Sequence, residues 1–380
     1  MSPYRIVALG GDGVGPEVTR VALDVLQAVA RQFGFSVEVD ERAIGCAAID
    51  AFGDPLPAQV LSTVLDADAV LLGAVGSRAD LPPGVRRAEE ALLQLRSALG
   101  VWANLRPIRS WTALEDVVPV RPEVARGLDL LIVRELSSGL YYGRPQGIDR
   151  DGDTLEAVDT LRYTWDEVER LVRFGFDLAK GRRGRVASVD KANVLATSRL
   201  WREVADLVAS QETGVACEHV LVDACAMRLL RDPAAFDVLV TENTFGDILS
   251  DEASMLAGSL GLLPSASLGG IAGLYEPVHG TAPDIAGRDV ANPIGAVLSV
   301  AMLLRHSLRQ EEAATRVESA VDAVLASGDR TRDLVPAWST TPLARPPSGT
   351  RAFGLRILEE LDPGASPASA TLSRSGWWSG

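Results

Sequence analysis

The sequence predicts an α/β fold with a largely parallel sheet and room for two domains. Short β-branched runs alternate with stretches whose apolar residues recur at helical spacing. Several runs are apolar throughout, which is typical of parallel strands buried on both faces. The chain has 380 residues, 47% of them hydrophobic, so it is long enough for two cores.

The elements follow in order along the chain. The first strand, helix and strand are predicted in turn by YRIVALG, PEVTRVALDVLQAVARQFG and SVEVDERAI. Further strands are predicted by ADAVLLGAVG, LDLLIVREL, GRVASVDKA and FDVLVTEN, and a later helix by TWDEVERLVRFGFDLAKG. The turn-rich stretch near 140–165 predicts a short projecting hairpin, which would serve as a dimer arm or lie as a plain surface loop. The small, Pro/Ser-rich end, 363–380, predicts a disordered tail.

Composition excludes several classes of protein. The net charge of −14 disfavours a nucleic-acid partner and means that an anion site needs a local arginine cluster. The three cysteines share no CxxC spacing, which favours a reducing compartment over a disulfide framework or a thiolate zinc site. The N-terminus lacks the features of a signal peptide, and no apolar run is long enough for a membrane span. We therefore expect a cytoplasmic protein that is not bound to a membrane.

The segment GGDGVGPEV follows a strand and opens a helix, but its glycines are spaced GxGxG. Pro16 occupies the place where a dinucleotide fingerprint needs its third glycine, and proline suits the first turn of a helix. The segment predicts a tight turn near a ligand cleft rather than a Rossmann fingerprint.

Three arginines are candidates for binding carboxylates. Arg96 closes the helical stretch EEALLQLR, Arg106 precedes a proline in NLRP, and Arg134 ends the strand LDLLIVRE. Guanidinium groups bind carboxylates in a bidentate manner, so the set predicts a substrate with more than one carboxylate. Each arginine alone is also compatible with a surface or capping role.

Two other residues are candidates for proton transfer. Lys191, in VASVDKANVL, would be a base if it is partly buried, or a lysine whose charge reaches solvent. Tyr141, in SSGLYYGRP, would donate a proton or pack in an interface.

Asp247 and Asp251 lie one helical turn apart in TENTFGDILSDEAS, so their like charges repel each other. A third carboxylate, Asp223, lies in EHVLVDACAMRLL. Three carboxylates without a nearby His or Cys suit Mg²⁺ or Mn²⁺. The alternative is a solvated acidic helix face, against which the apolar neighbours Phe245, Ile248 and Leu249 argue.

The loop LYEPVHGTAPDIAGRDVANP is rich in Gly and Pro and therefore fixed in conformation. Asp284 within it would accept hydrogen bonds from ribose hydroxyls and repel a 2′-phosphate. The alternative is a structured surface loop without a ligand.

Taken together, these motifs resemble the isocitrate/isopropylmalate β-decarboxylating dehydrogenases. The resemblance runs from about Tyr4 to Leu361 and is greatest to the members that act on 3-isopropylmalate. It rests on motifs in the order GGDGVGPEV, DAFGDPLP, LLGAVG, LRSALGVWANLRP, RELSSGLYYGRP, SVDKANVL, TENTFGDILSDEASMLAGSLGLLPSASLG and EPVHGTAPDIAGRDVANP.

The resemblance implies a doubly wound, mostly parallel sheet that is not of Rossmann type, with a cleft between two domains. Residues 1–101 and 258–362 would form the first domain, and residues 102–257 would form the second, which carries the dimer interface and the arm. It also implies a homodimer with shared active sites.

Roles for individual residues are implied in the same way. Arg96, Arg106 and Arg134 match the carboxylate clamp, Tyr141 the proton donor, and Leu92, Leu93 and Val194 the apolar substrate pocket. Lys191 and Asp223 match groups that the partner subunit supplies, while Asp247 and Asp251 would bind the metal from the same chain. The implied cofactor contacts are Glu89, Asn193, Glu276, His279, Gly280, Ala282, Asp284, Ile285 and Asn292.

The implied reaction is oxidative decarboxylation of 3-isopropylmalate in leucine biosynthesis, with Mg²⁺ or Mn²⁺. Relatives that use NADP carry Lys–Tyr at the positions of Asp284–Ile285, so NAD is the expected cofactor. Other malates, such as D-malate, tartrate or homoisocitrate, remain alternatives, as does a catalytically silent regulatory subunit. The chain departs from the family pattern at Ala91 and Glu242, where glycine is common, and in the segments GSRAD and VPAWSTTPLARPP.

Overall fold

The computed structural model describes residues 2–76, 78, 84–150, 155–336, 338, 343 and 345–362. Their strands are β1 Tyr4–Gly11, β2 Val37–Arg42, β3 Ala69–Ala74, β4 Ala103–Arg109, β5 Asp129–Glu135, β6 Gln146–Asp149, β7 Glu156–Asp159, β8 Arg185–Asp190, β9 Ala216–Leu221, β10 Val238–Thr241, β11 Pro264–Leu268 and β12 Gly273–Pro277. Each strand predicted from the sequence is present.

The helices alternate with these strands. They are α1 Gly15–Phe33, α2 Cys46–Phe52, α3 Ala58–Leu65, α4 Ala88–Leu99, α5 Pro122–Ala125, α6 Trp165–Lys180, α7 Ala196–Gln211, α8 Val222–Arg231, α9 Asn243–Ala257, α10 Ile294–His306, α11 Glu311–Ala326 and α12 Thr350–Leu361. Helix α10 is buried from Ile294 to Leu304 and packs against α1 and α11, which explains its nearly continuous apolar sequence.

Ten strands form one sheet in the order β2-β1-β3-β12-β11-β4-β5-β10-β8-β9. Strand β11 is antiparallel to both of its neighbours, β4 is antiparallel to β5, and the remaining pairs are parallel. This confirms the doubly wound, mostly parallel α/β fold. The predicted division into two domains stays a prediction.

The strand that carries Arg134 differs from expectation. The apolar sequence of this strand predicts a buried parallel strand, but β5 is parallel only to β10 and runs antiparallel to β4, which places Arg134 opposite Asn104. Arg134 thus lies near the end of β5 and opposite the start of β4, within reach of polar groups from both strands.

The predicted hairpin is present as the antiparallel pair β6–β7, and all eight of its strand residues are exposed. The predicted tail, 363–380, lies outside the described residues. Across the described part of the chain, no helix is both long and apolar enough to span a membrane.

The glycine turn has the predicted form. Helix α1 begins at Gly15 with Pro16 in its first turn, and Gly13 has φ of +60°. A Cβ on Gly13 would lie 2.0 Å from the carbonyl oxygen of Thr281, and the N–H of Val14 donates to that oxygen at 2.8 Å. The turn is therefore locked against the loop that contains Asp284.

Candidate active site

Three buried arginines come together from three different elements. Arg96 extends from the last turn of α4, Arg106 from β4 and Arg134 from β5. Each makes an ion pair: Arg96 with Glu276 at 2.7 Å, and both Arg106 and Arg134 with Asp247, at 3.2 and 2.5 Å. The structure thus assembles the cluster that the acidic chain needs for binding an anion.

Asp247 connects the arginines to Tyr141. One carboxylate oxygen of Asp247 faces the two guanidinium groups, and the other accepts a hydrogen bond from the Tyr141 hydroxyl at 3.0 Å. Burial raises the pKa of Asp247, but Arg134, Arg106 and the Tyr141 hydrogen bond together outweigh it, and its net pKa is lowered. Asp247 is therefore ionised at neutral pH.

Asp251 lies one turn further along α9 and is more exposed. Burial raises its pKa, and Asp247 adds to that rise while Arg106, at 3.4 Å, opposes it. Arg106 therefore contacts both carboxylates and offsets part of their repulsion.

The apolar neighbours of Asp247 and Asp251 are only partly buried, contrary to the prediction. Leu249 is buried, but Ile248 is 62% exposed, so α9 presents an apolar surface as well as its carboxylates. Helical geometry explains the difference, because consecutive residues on a helix do not share a face.

Two features of the cluster favour binding of a further anion. Burial first, and then the charge of Arg106, lower the pKa of Arg134 to about 10. The Nε of Arg96 is buried and has no hydrogen-bond partner among the described residues. A further carboxylate would stabilise the arginine charges and satisfy this donor.

The polar groups that hold the arginines were not predicted from the sequence. Asn104 accepts from Nε of Arg106 at 2.8 Å, and Ser250 accepts from its Nη1 at 2.6 Å. Asn243 accepts from both Nε and Nη2 of Arg134. Asn104 stands two residues before Arg106 on the same strand face, a spacing that could have identified it.

Lys191 and Asp223 lie apart from this cluster. The Lys191 Nζ is 2.7 Å from Asp223 and, in the part of the chain that the structure describes, no ion pair links either residue to Asp247 or Asp251. The hydrogen bond from Lys191 lowers the pKa of Asp223. Among the described residues, no group of three or more His, Cys, Asp or Glu side chains could hold a metal ion. One chain alone therefore does not bring the three predicted metal ligands together.

The loop after β12 contains several of the predicted cofactor contacts. Burial lowers the pKa of His279, and its Nε2 is buried without a partner among the described residues. Ala282 adopts a positive φ of 38°, Ile285 is half-buried, and Gly280 and Asp284 are exposed. A neutral imidazole with an unsatisfied nitrogen fits an uncharged polar ligand such as a nucleoside.

The other predicted contacts are more dispersed. Glu276 binds Arg96, whereas the Asn292 amide is occupied by Asp333 and by the N–H of Ile294. The remaining predicted residues are Glu89 and Asn193, both exposed, Leu92 and Leu93, both half-buried on α4, and Val194, which is 64% exposed after β8. The structure brings Val194 into no described contact with the two leucines.

Comparison with known proteins identifies the family. The family model described as isocitrate/isopropylmalate dehydrogenase matches residues 5–343. The chain belongs to the isocitrate/isopropylmalate dehydrogenase family.

Individual members of the isocitrate/isopropylmalate dehydrogenase family are similar over most of the chain. A 3-isopropylmalate dehydrogenase of Anaeromyxobacter dehalogenans is 54% identical and covers 90% of this chain and 97% of its own. One from Synechococcus sp. strain JA-3-3Ab is 50% identical, covering 98% and 97%. The crystal structure of isocitrate dehydrogenase from Methylococcus capsulatus superposes with a TM-score of 0.83 at 35% identity, covering 94% of this chain and 99% of that one.

Proposed function

We propose that this protein catalyses the NAD-dependent oxidative decarboxylation of (2R,3S)-3-isopropylmalate to 4-methyl-2-oxopentanoate (2-oxoisocaproate) and CO₂ in leucine biosynthesis. The observation that carries the proposal is the convergence of Arg96, Arg106 and Arg134 beside Asp247 and Asp251. Several buried cations at one place favour a substrate with two carboxylates. The relatives named 3-isopropylmalate dehydrogenase favour this dicarboxylate over others.

The donor set fits a divalent cation. Asp247 and Asp251 project from one face of α9, and carboxylate oxygens are the ligands that Mg²⁺ and Mn²⁺ prefer. The partner's Asp223 would complete the set in a homodimer. When bound, the ion acts as a Lewis acid on the substrate's hydroxyl and carboxylate oxygens and stabilises enolate charge.

The homodimer is supported by the surface around these residues. Asp223 lies on α8 and Asp247 on α9, and the same two helices expose Met227, Ile248 and Met255 to solvent. Exposed apolar side chains beside charged residues are typical of an interface between subunits. Pairing two copies through α8 and α9 would bring Asp223 of one chain to Asp247 of the other.

The chain's own residues then have separate roles. The arginines bind and orient the carboxylates, and Lys191 of the partner subunit takes the proton from the C2 hydroxyl. NAD, when bound, would supply the oxidant for removal of the hydride from C2. Burial, together with the negative charge of Asp247, raises the pKa of Tyr141, so this phenol stays protonated and can donate its proton to the enol carbon after CO₂ leaves.

The cofactor preference is proposed from Asp284, which is exposed at the loop that holds His279. A carboxylate accepts hydrogen bonds from the 2′- and 3′-hydroxyls of NAD and repels the 2′-phosphate of NADP. His279, kept neutral by burial, would face the adenosine. These residues favour NAD.

The test is a panel assay of the purified protein with Mg²⁺. Strong reduction of NAD with 3-isopropylmalate, little with NADP, and loss of turnover on chelation of the metal are expected. Turnover of only D-malate, tartrate, isocitrate or homoisocitrate would support the proposed reaction type and contradict 3-isopropylmalate as the substrate. Silence with every malate would favour a regulatory subunit.

A further inference from the structure

A buried hydrogen-bond chain lies behind Arg134, and the proposed reaction assigns it no role. The Tyr163 hydroxyl donates to Oε2 of Glu242 at 3.1 Å and accepts the backbone N–H of Asn243 at 3.0 Å. All three residues are buried, and no described cation forms an ion pair with Glu242. A buried carboxylate held only by neutral donors is costly, so a structure that retains it calls for a physical reason.

The Asn243 side chain connects these buried hydrogen bonds to the arginine cluster. Its Oδ1 accepts from Nε and Nη2 of Arg134 at 3.0 and 2.8 Å, and its Nδ2 donates to the Ser138 carbonyl at 2.9 Å. With Asp247 on Nη1, three of the five guanidinium N–H donors are engaged by described residues. Because the guanidinium is planar, these three fix the direction of the other two, which are left for a ligand.

Glu242 also fixes the start of α9. Its Oε1 accepts the N–H of Phe245 at 2.6 Å, which makes Glu242 the N-cap of the helix that carries Asp247. The Tyr163 ring packs edge-on against Trp201, with centroids 5.9 Å apart. A Cβ on Gly139 would lie 2.3 Å from the Tyr163 oxygen, so the backbone there packs directly against the hydroxyl.

Helix α9 also passes unusually close to Arg134. A Cβ on Gly246 would lie 2.7 Å from Cγ of Arg134, so only glycine permits this approach. Small movements at the first turn of α9 are thus transmitted to the guanidinium.

We propose that Tyr163 and Glu242 are positioning residues for substrate binding. They hold Asn243 and the first turn of α9 so that Arg134 presents its two remaining N–H groups to a substrate carboxylate. Neither residue touches the substrate; both act through Arg134. The inference rests on the proposed function insofar as the ligand is a malate-type dicarboxylate.

The test compares two buried tyrosines. Tyr163→Phe removes the hydroxyl that connects Glu242 to Asn243, and Tyr275→Phe is the matched control, since Tyr275 is buried and its hydroxyl lies 2.8 Å from Ser307. We expect Tyr163→Phe to raise KM for the malate about tenfold, as loss of a buried hydrogen bond does, with kcat within about twofold. Both variants should lower the melting temperature by similar amounts, but Tyr275→Phe should leave KM unchanged.

Conservative replacement at Glu242 separates positioning from general instability. Glu242→Gln keeps an oxygen for the Phe245 N–H and should raise KM by less than about threefold, whereas Glu242→Ala should raise it about tenfold. Equal KM values for Tyr163→Phe and Tyr275→Phe would overturn the inference, as would equal effects of Gln and Ala.

Failure of the proposed function would show separately. If the wild-type protein turns over no malate, the function is wrong, and the calorimetric Kd of 3-isopropylmalate in the same variants decides the positioning role instead. A Kd about tenfold weaker in Tyr163→Phe than in Tyr275→Phe supports it, and an equal Kd, or no binding by the wild type, overturns it.

Discussion

The two sets of charged residues proposed for catalysis differ in how far one chain completes them. The arginine cluster is buried: Arg134 is 2% exposed and is held by Asn243 and Asp247. The Lys191–Asp223 pair lies nearer the surface, joined by a single contact of 2.7 Å. Met227, four residues after Asp223 on α8, is 66% exposed.

This difference separates preorganisation within a chain from assembly between chains. Buried arginines keep a fixed geometry because their desolvated charges need permanent partners. A pair at an apolar surface gains such an environment only when another surface covers it. The arginine cluster is therefore the permanent half of the proposed site, and the lysine pair is the half that association would bring in the proposed homodimer.

The largest effect is expected from Asp247→Asn, which removes a charge from the permanent half. Turnover should fall by more than about a thousandfold, because the proposed metal site, Arg134 and Tyr141 all depend on this carboxylate. Circular dichroism should show a folded protein. The control is Asp322→Asn, on α11, which alters the ion pair between Asp322 and Arg109. This variant should keep full activity. Full activity of Asp247→Asn would contradict the proposal that Asp247 is a metal ligand.

The next prediction tests whether the two halves come from different chains. Lys191→Ala and Asp247→Asn should each be inactive alone. After mixing, unfolding and refolding together, heterodimers should contain one intact site, restoring about a quarter of wild-type activity for random pairing. No recovery would place both halves in the same chain.

A smaller effect is expected from charge placed on the apolar surface. Met227→Glu should shift the protein towards monomers in analytical ultracentrifugation and reduce activity at least tenfold at low protein concentration. Leu207→Glu, on α7, is the matched control and should leave both unchanged, since α7 packs with α6 rather than with α8 or α9. A dimeric, active Met227→Glu protein would contradict the proposed interface.

The smallest effect concerns the pH dependence of stability. Burial raises the pKa of Glu242 above its ordinary 4.5, so the stability that the protonated form contributes is lost as pH rises through the raised pKa. Glu242→Gln does not titrate. The urea midpoint of this variant relative to wild type should therefore be higher at pH 8 than at pH 5. A relative midpoint that falls with pH would contradict the assigned shift.

The fold was predictable because its strands are apolar and separated by helices. The turn at Gly13 and the shared face of Asp247 and Asp251 also followed from local spacing. The antiparallel pairing of β5 with β4 did not, because strand direction depends on contacts between distant segments.

Site residues divide in a similar way. Arg134 was predicted as a candidate because it ends an apolar strand, and Arg106 because it precedes a proline. Their roles, and that of Tyr141 as a proton donor, stay predictions. Asn104 was missed although its spacing from Arg106 points to it, whereas Asn243 was missed because its partner Arg134 lies 109 residues away in the sequence. The exposure of Ile248 was missed because a run of apolar letters does not reveal which side faces solvent.

The sheet order has a consequence for how the chain is made on the ribosome. Strand β3 pairs with β12, and α1 packs against α10 and α12, so the earliest segments are covered by the latest ones. At about 5–20 residues per second, α1 waits roughly 15–60 seconds between its own synthesis and that of α12. During that interval the nascent chain exposes an apolar helix and an unpaired strand edge, the two features that make a partly folded chain prone to aggregation.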